Sequence, residues 1–175
     1  MELEYWHQHF KKHNEALKAI IKGDPWVFLC GSVTIEYIAK SCYKKNCYTK
    51  FVKEYMSKVD ERYINFKYKN GKTDLPDQMY YVLRNGLVHA FTMKPLNEKQ
   101  QHKGRTNSIV LSHNHPHLTP DITGPTRDSC VFEASQFISD IGRAIDLVFE
   151  EAKTNKQLQI KMKNRFAKFP PVNAF

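Results

Sequence analysis

With 175 residues, 41% of them hydrophobic, the chain is long enough for one domain, 1–175, with a buried core, and leaves room for no more than a small second lobe. Its 27 Lys and Arg against 18 Asp and Glu give a formal charge of +9 and a pI of about 9.3; that field attracts RNA, DNA or acidic membrane surfaces, or simply aids solubility. The four cysteines have neither zinc-site spacing nor disulfide-scaffold density, and no stretch resembles a signal peptide or a membrane span, so a reduced, cytoplasmic protein is expected.

From Leu3 to Ile21, Trp6, Phe10, Leu17, Ile20 and Ile21 form a ragged helical stripe, and Gly23-Asp24-Pro25 ends it. His9 and His13 share a face of this helix but have no third ligand near them in sequence, so no metal is assigned there. Trp26 to Tyr43 is the most apolar segment; Phe28, Leu29, Val33, Tyr37 and Ile38 alternate with small residues and predict a central, mostly buried helix. After a basic turn at Ser41 to Tyr48, Thr49 is the predicted cap of a third helix carrying Phe51, Val52, Tyr55, Met56 and Val59. Arg62 to Lys69 fits two patterns. Ile64, Phe66 and Tyr68 alternate like a half-exposed strand, whereas Tyr63 and Phe66 suit an extension of the preceding helix. The Asn70-Gly71 turn favours a short strand with an edge protected by lysines, and its basic-aromatic alternation also suits a nucleic-acid ribbon.

Asp74 is placed to cap a helix with Pro76 in its first turn and acids at the positive end of the dipole. Met79, Val82, Leu83, Leu87, Ala90 and Phe91 give that helix one buried face, which leaves Arg84, Asn85 and His89 on the remainder; Pro95 marks the exit. A polar insertion at about 96–126 follows, in which Ile109-Val110-Leu111 predicts a strand of a small hairpin, a partner for the strand at Arg62 to Lys69. Its His113, His115 and His117 alternate so that the first two face one side as metal ligands would, or the cluster contacts RNA; no carboxylate or cysteine completes a metal set, and a polar, Pro-broken loop is the plainer expectation. From Arg127, Val131, Ala134, Phe137, Ile138, Ile141, Ala144, Ile145, Val148 and Phe149 predict a long helix of about six turns, packed against the motif helix. Thr154 to Lys168 predicts a final basic helix whose Lys156, Lys161, Lys163, Arg165 and Lys168 form a solvated face or a phosphate track.

The Arg-Asn-x-x-x-His arrangement of Arg84, Asn85 and His89, set in an apolar helix of a basic chain, resembles the signature of the HEPN family. These are small helical domains, many of them ribonucleases that cut RNA without a metal. The resemblance implies an all-α, up-down bundle of about five helices with a small hairpin or loop insertion. It also implies an endoribonuclease without a cofactor, acting on RNA as a homodimer whose two motif helices meet in a cleft, in a toxin or defence setting with an antitoxin as a possible partner. Some family toxins carry a tyrosine two residues after the histidine, which the antitoxin modifies; this chain has Phe91 there, so control by adenylylation at that position is not expected.

The residue types suit the chemistry. Histidine titrates near neutrality and moves a proton to or from a ribose or leaving oxygen, while arginine stabilises charge gathering on the phosphate. Asn85 lies one turn before His89 and is expected to orient its ring. On an ideal α-helix, however, Arg84 and His89 stand roughly 140° apart, a gap that the long Arg84 side chain, slack at Gly86 or a second copy of the helix across a two-fold axis would each close. Two alternatives remain: a non-catalytic helical module that binds nucleic acid or protein through its basic face, and a trio that makes only a buried polar contact.

Overall fold

The computed structural model describes residues 3–19, 25–69, 74–87, 109–112, 114–121 and 128–170. Within them the chain is mostly helical with a small three-stranded sheet. Helix α1 (Leu3–Ala19) buries Trp6, His7, Phe10, Asn14 and Leu17, a three-and-four spacing that turns one stripe inward. Helix α2 (Pro25–Cys42) starts on Pro25, whose fixed φ and missing N–H suit a first turn. Helix α3 begins as Cys47–Phe51, widens into a π-helical segment over Val52–Met56 and ends as Ser57–Val59; α4 is the single turn Arg62–Asn65. Helix α5 opens as Leu75–Gln78 and continues as a π-helical segment over Met79–Leu87.

Strands β1 (Ile109–Ser112), β2 (Thr119–Asp121) and β3 (Ser129–Glu133) form a sheet of order β1-β3-β2, with β1 parallel and β2 antiparallel to β3. The long α6 (Ala134–Thr154) leaves β3 directly, its first turn capped by the Glu133 carboxylate, which accepts from the Ser135 and Gln136 amides. Helix α7 (Lys156–Lys168) is capped by Asn155, which accepts from the Leu158 amide.

The core is built around α6. Phe28 stacks on Phe137 with ring centroids 5.7 Å apart, and Trp6, Phe10 and Phe149 surround Phe166 of α7. Gly31 is where α2 comes closest to α6: a Cβ there would stand 2.9 Å from the Ile141 Cδ1, so the missing side chain sets the separation of the two helices. Helix α5 packs mainly on α2, not on α6, contrary to the expected pairing of motif helix and long helix. No helix among the described residues is long and apolar enough to cross a membrane. Cys30, Cys42, Cys47 and Cys130 are free thiols.

Several expectations are corrected. Arg62–Asn65 is helical, not a strand, because the Asp60 carboxylate accepts from both the Arg62 amide and its guanidinium and so nucleates a turn. The third helix is entered through Asn46, in the left-handed region at φ 50°, and not capped by Thr49. Val33 of α2 is exposed rather than buried. The long helix starts at Ala134, with Val131 of the supposed stripe in β3. Ile109–Ser112 is a strand as predicted, but it pairs with β3 and not with β2 or Arg62–Lys69, so the insertion is no simple hairpin.

Candidate functional site

Arg84 and Asn85 lie on the π-helical part of α5, half-buried against α2; His89 lies outside the described residues. The Arg84 guanidinium is gripped by Glu36 of α2. Its Nε donates to Glu36 Oε2 at 2.5 Å and its Nη2 to Glu36 Oε1 at 2.9 Å, while Nη1 donates to Asn85 Oδ1 at 2.9 Å. This is the two-pronged geometry that a lysine cannot reproduce. Glu36 also meets Lys40 at 2.8 Å, one turn further along α2. Burial alone would raise the Glu36 carboxyl, but the hydrogen bonds from Arg84 and Lys40 outweigh it and hold the pKa below the usual carboxylate value. Glu36 is the one acid of α2, the segment read as most apolar, and that is the sequence signal that marks it.

The π segment changes the angular argument. Hydrogen bonds from i to i+5 wind Met79–Leu87 with more residues per turn than an α-helix, so angles taken at 100° per residue do not hold along it. The separation of roughly 140° assumed a regular α-helix through Arg84, and the helix there is not regular.

Beside this cluster runs a groove of about 510 Å³ between the end of α2, the turn after it, α3 and α5. Glu36 belongs to its wall, so groove and Arg84 cluster are continuous. Tyr48, Tyr80 and Tyr81 form an aromatic side. The Tyr48 ring is fixed by a 3.0 Å hydrogen bond between its hydroxyl and Ser32, and it meets Tyr80 at 5.9 Å, which meets Tyr81 at 5.2 Å. Lys40, Lys44, Lys45 and Lys53 supply positive charge.

The histidines of the insertion do not form a ligand set. His113 lies outside the described residues and His115 is exposed. His117 is buried with both ring nitrogens engaged: Nδ1 accepts from the Glu133 amide at 3.0 Å, and Nε2 lies 3.0 Å from the Tyr63 hydroxyl. That hydroxyl in turn donates to Asp140 Oδ2 at 3.1 Å, and Gln136 donates to Asp140 Oδ1 at 2.7 Å. Accepting at Nδ1 assigns the proton to Nε2, so His117, Tyr63 and Asp140 make a directional chain inside the core. Burial, then the nearby Arg62 guanidinium, pushes the imidazole down to about 3, so it is neutral over the ordinary pH range. Among the described residues no three His, Cys, Asp or Glu side chains converge as a metal site would require.

Comparison of the chain with protein-family models, with curated proteins and with solved structures finds no match.

Proposed function

We propose that the protein is a metal-independent endoribonuclease of HEPN type that acts on RNA as a homodimer. The observation that supports this best is the Arg84, Asn85 and Glu36 cluster, which adjoins a lysine- and tyrosine-lined groove through Glu36. In this proposal His89 takes the proton of a ribose 2′-hydroxyl. The 2′-oxygen attacks the adjacent phosphorus and the bond from phosphorus to the 5′-oxygen breaks. The leaving oxygen receives a proton from the His89 of a second copy, so the products are a 2′,3′-cyclic phosphate and a 5′-hydroxyl. Arg84, held through Nε and Nη2 by Glu36, uses its Nη1 edge together with Asn85 to stabilise the charge on the phosphate.

The test is cleavage of RNA in excess EDTA by the wild type, Arg84→Ala and His89→Ala, with circular dichroism and sedimentation as controls. Wild-type cutting with each variant at least roughly a hundredfold slower, and folded, is the expected result. Full activity in either variant would sink the assignment. A second reading, a module that binds nucleic acid without cutting it, is favoured by the engagement of the guanidinium with Glu36, which leaves Arg84 with less net charge to offer. It predicts salt-sensitive RNA binding and no cleavage.

A further inference from the structure

The groove between α2, α3 and α5 is lined by residues outside the Arg-Asn-x-x-x-His motif. We propose that it takes a single strand of nucleic acid, with phosphates on its lysines and unstacked bases against Tyr80 and Tyr81. The inference rests on the ribonuclease reading only in taking RNA as the physiological strand.

Four lysines line the groove, and their pairing differs. Lys40 meets Glu36 at 2.8 Å and Lys53 meets Asp74 at 2.7 Å, so each is partly neutralised. Lys44 and Lys45 are exposed and have no ion-pair partner among the described residues. They sit in the turn between α2 and α3, whose backbone is fixed by Asn46 in the left-handed region at φ 50° and by the Lys50 amide bonding the Asn46 carbonyl at 3.0 Å. Two unpaired ammonium groups on a defined turn at the mouth of a groove favour a polyanion. The two acids of the wall, Glu36 and Asp77, keep the inner part less positive than the rim.

The aromatic wall narrows the choice of polyanion. Tyr80 and Tyr81 are half-buried, with their rings at 71° to each other, so they present differently oriented faces within one concavity. Unpaired bases stack on such faces, whereas a duplex keeps its bases turned inward and offers only phosphate and groove edges. A strand lying along Lys44, Lys45 and the tyrosines also meets Glu36, which holds Arg84. The groove therefore leads a strand to the Glu36–Arg84 pair. The other lysine-rich surface, on α7, is an exposed helix face, and the groove that its Lys163 borders is lined by Leu3, Glu4, His7, Phe149, Lys153 and Gln159, with no tyrosine.

The experiment is fluorescence anisotropy with a labelled oligothymidylate of about twelve nucleotides, a length within the range of known single-strand sites. Lacking 2′-hydroxyls, it cannot be cut by 2′-oxygen attack. The double variant Lys44→Glu/Lys45→Glu is compared with Lys156→Glu/Lys163→Glu, which changes the net charge equally on α7. Wild type should bind the single strand more tightly than a duplex of the same length. The first variant should lose roughly tenfold or more in affinity and about 1.4 from the slope of log K against log salt, since each single-strand phosphate contact contributes about 0.7. The α7 variant should stay within about threefold of wild type, the screened effect of distant charge. Equal losses in both variants, equal binding of duplex, or no binding at all would overturn the groove. The two proposals fail separately. Binding that depends on Lys44 and Lys45 without RNA cleavage removes the ribonuclease and keeps the groove. RNA cleavage that depends on His89, with binding indifferent to the turn lysines, does the reverse.

Discussion

Tyr63 carries a larger share of the fold than a single aromatic ring suggests. Its hydroxyl accepts from His117 and donates to Asp140, and all three groups are buried. Leu118, next to His117, has a positive φ of 55°, an uncommon conformation for a bulky residue; its burial and the hydrogen bond from its amide to the Val131 carbonyl at 2.8 Å hold it there. Tyr63→Phe removes the shared hydroxyl and strands a buried N–H and a carboxylate oxygen, so a loss of about 1–3 kcal/mol in urea denaturation is expected. A loss near zero would mean that the chain of hydrogen bonds contributes nothing net. The pH dependence has a definite sign. His117 has an ordinary value of 6.5 and is held down to about 3 in the folded state, so below 6.5 the unfolded chain takes up a proton that the folded chain refuses. Its contribution is complete above 6.5 and is lost as pH falls towards 3, with a slope of at most about 1.4 kcal/mol per pH unit. Asp140, raised chiefly by burial, acts in the opposite sense, its contribution fading as pH rises. His117→Gln should therefore flatten the acid limb of stability against pH, and an unchanged slope would contradict the burial of a neutral imidazole.

The motif helix is set by its entry. The Asp74 carboxylate accepts from the Asp77 amide at 2.9 Å with Pro76 in the first turn, and Lys53 meets the other oxygen. Asp74→Ala should cost about 1 kcal/mol as the cap is lost, and Asp74→Asn only a few tenths, because the amide oxygen still caps and the exposed ion pair adds little. Equal losses by thermal denaturation would assign the effect to the ion pair instead. This entry was legible in sequence because cap, proline and acids act within one turn. So was β1, a short β-branched burst in a polar segment. Strand β3 was not: its residues are buried on both faces, and Val131 happens to continue the helical spacing of Ala134 and Phe137. The buried faces of α3 and α5 keep the three-and-four spacing read from sequence, so nothing in that spacing marks the widening of their turns. Glu36 with Arg84, and Tyr63 with His117 and Asp140, meet across 48, 54 and 77 positions of sequence, so their pairing is a property of packing alone.

Across the whole molecule, a charge of +9 draws polyanions from any direction, and position has to select among the basic surfaces. The Lys44 and Lys45 turn, the tyrosine wall and the Glu36–Arg84 pair form one continuous region, whereas the α7 lysines stand apart from it in sequence and on a solvated helix face. Two such regions in a dimer would bring two motif helices to one strand, and the sedimentation control tests that arrangement. The proposed reaction is attack by a ribose hydroxyl without a metal. It is tested most directly by incubating the wild-type protein in excess EDTA with a labelled RNA and with the same sequence as DNA, then analysing the product ends. The RNA should be cut to 2′,3′-cyclic phosphate and 5′-hydroxyl ends, and the DNA should be bound but left intact. RNA that survives, ends carrying a 5′-phosphate, or DNA cut alongside RNA would contradict it.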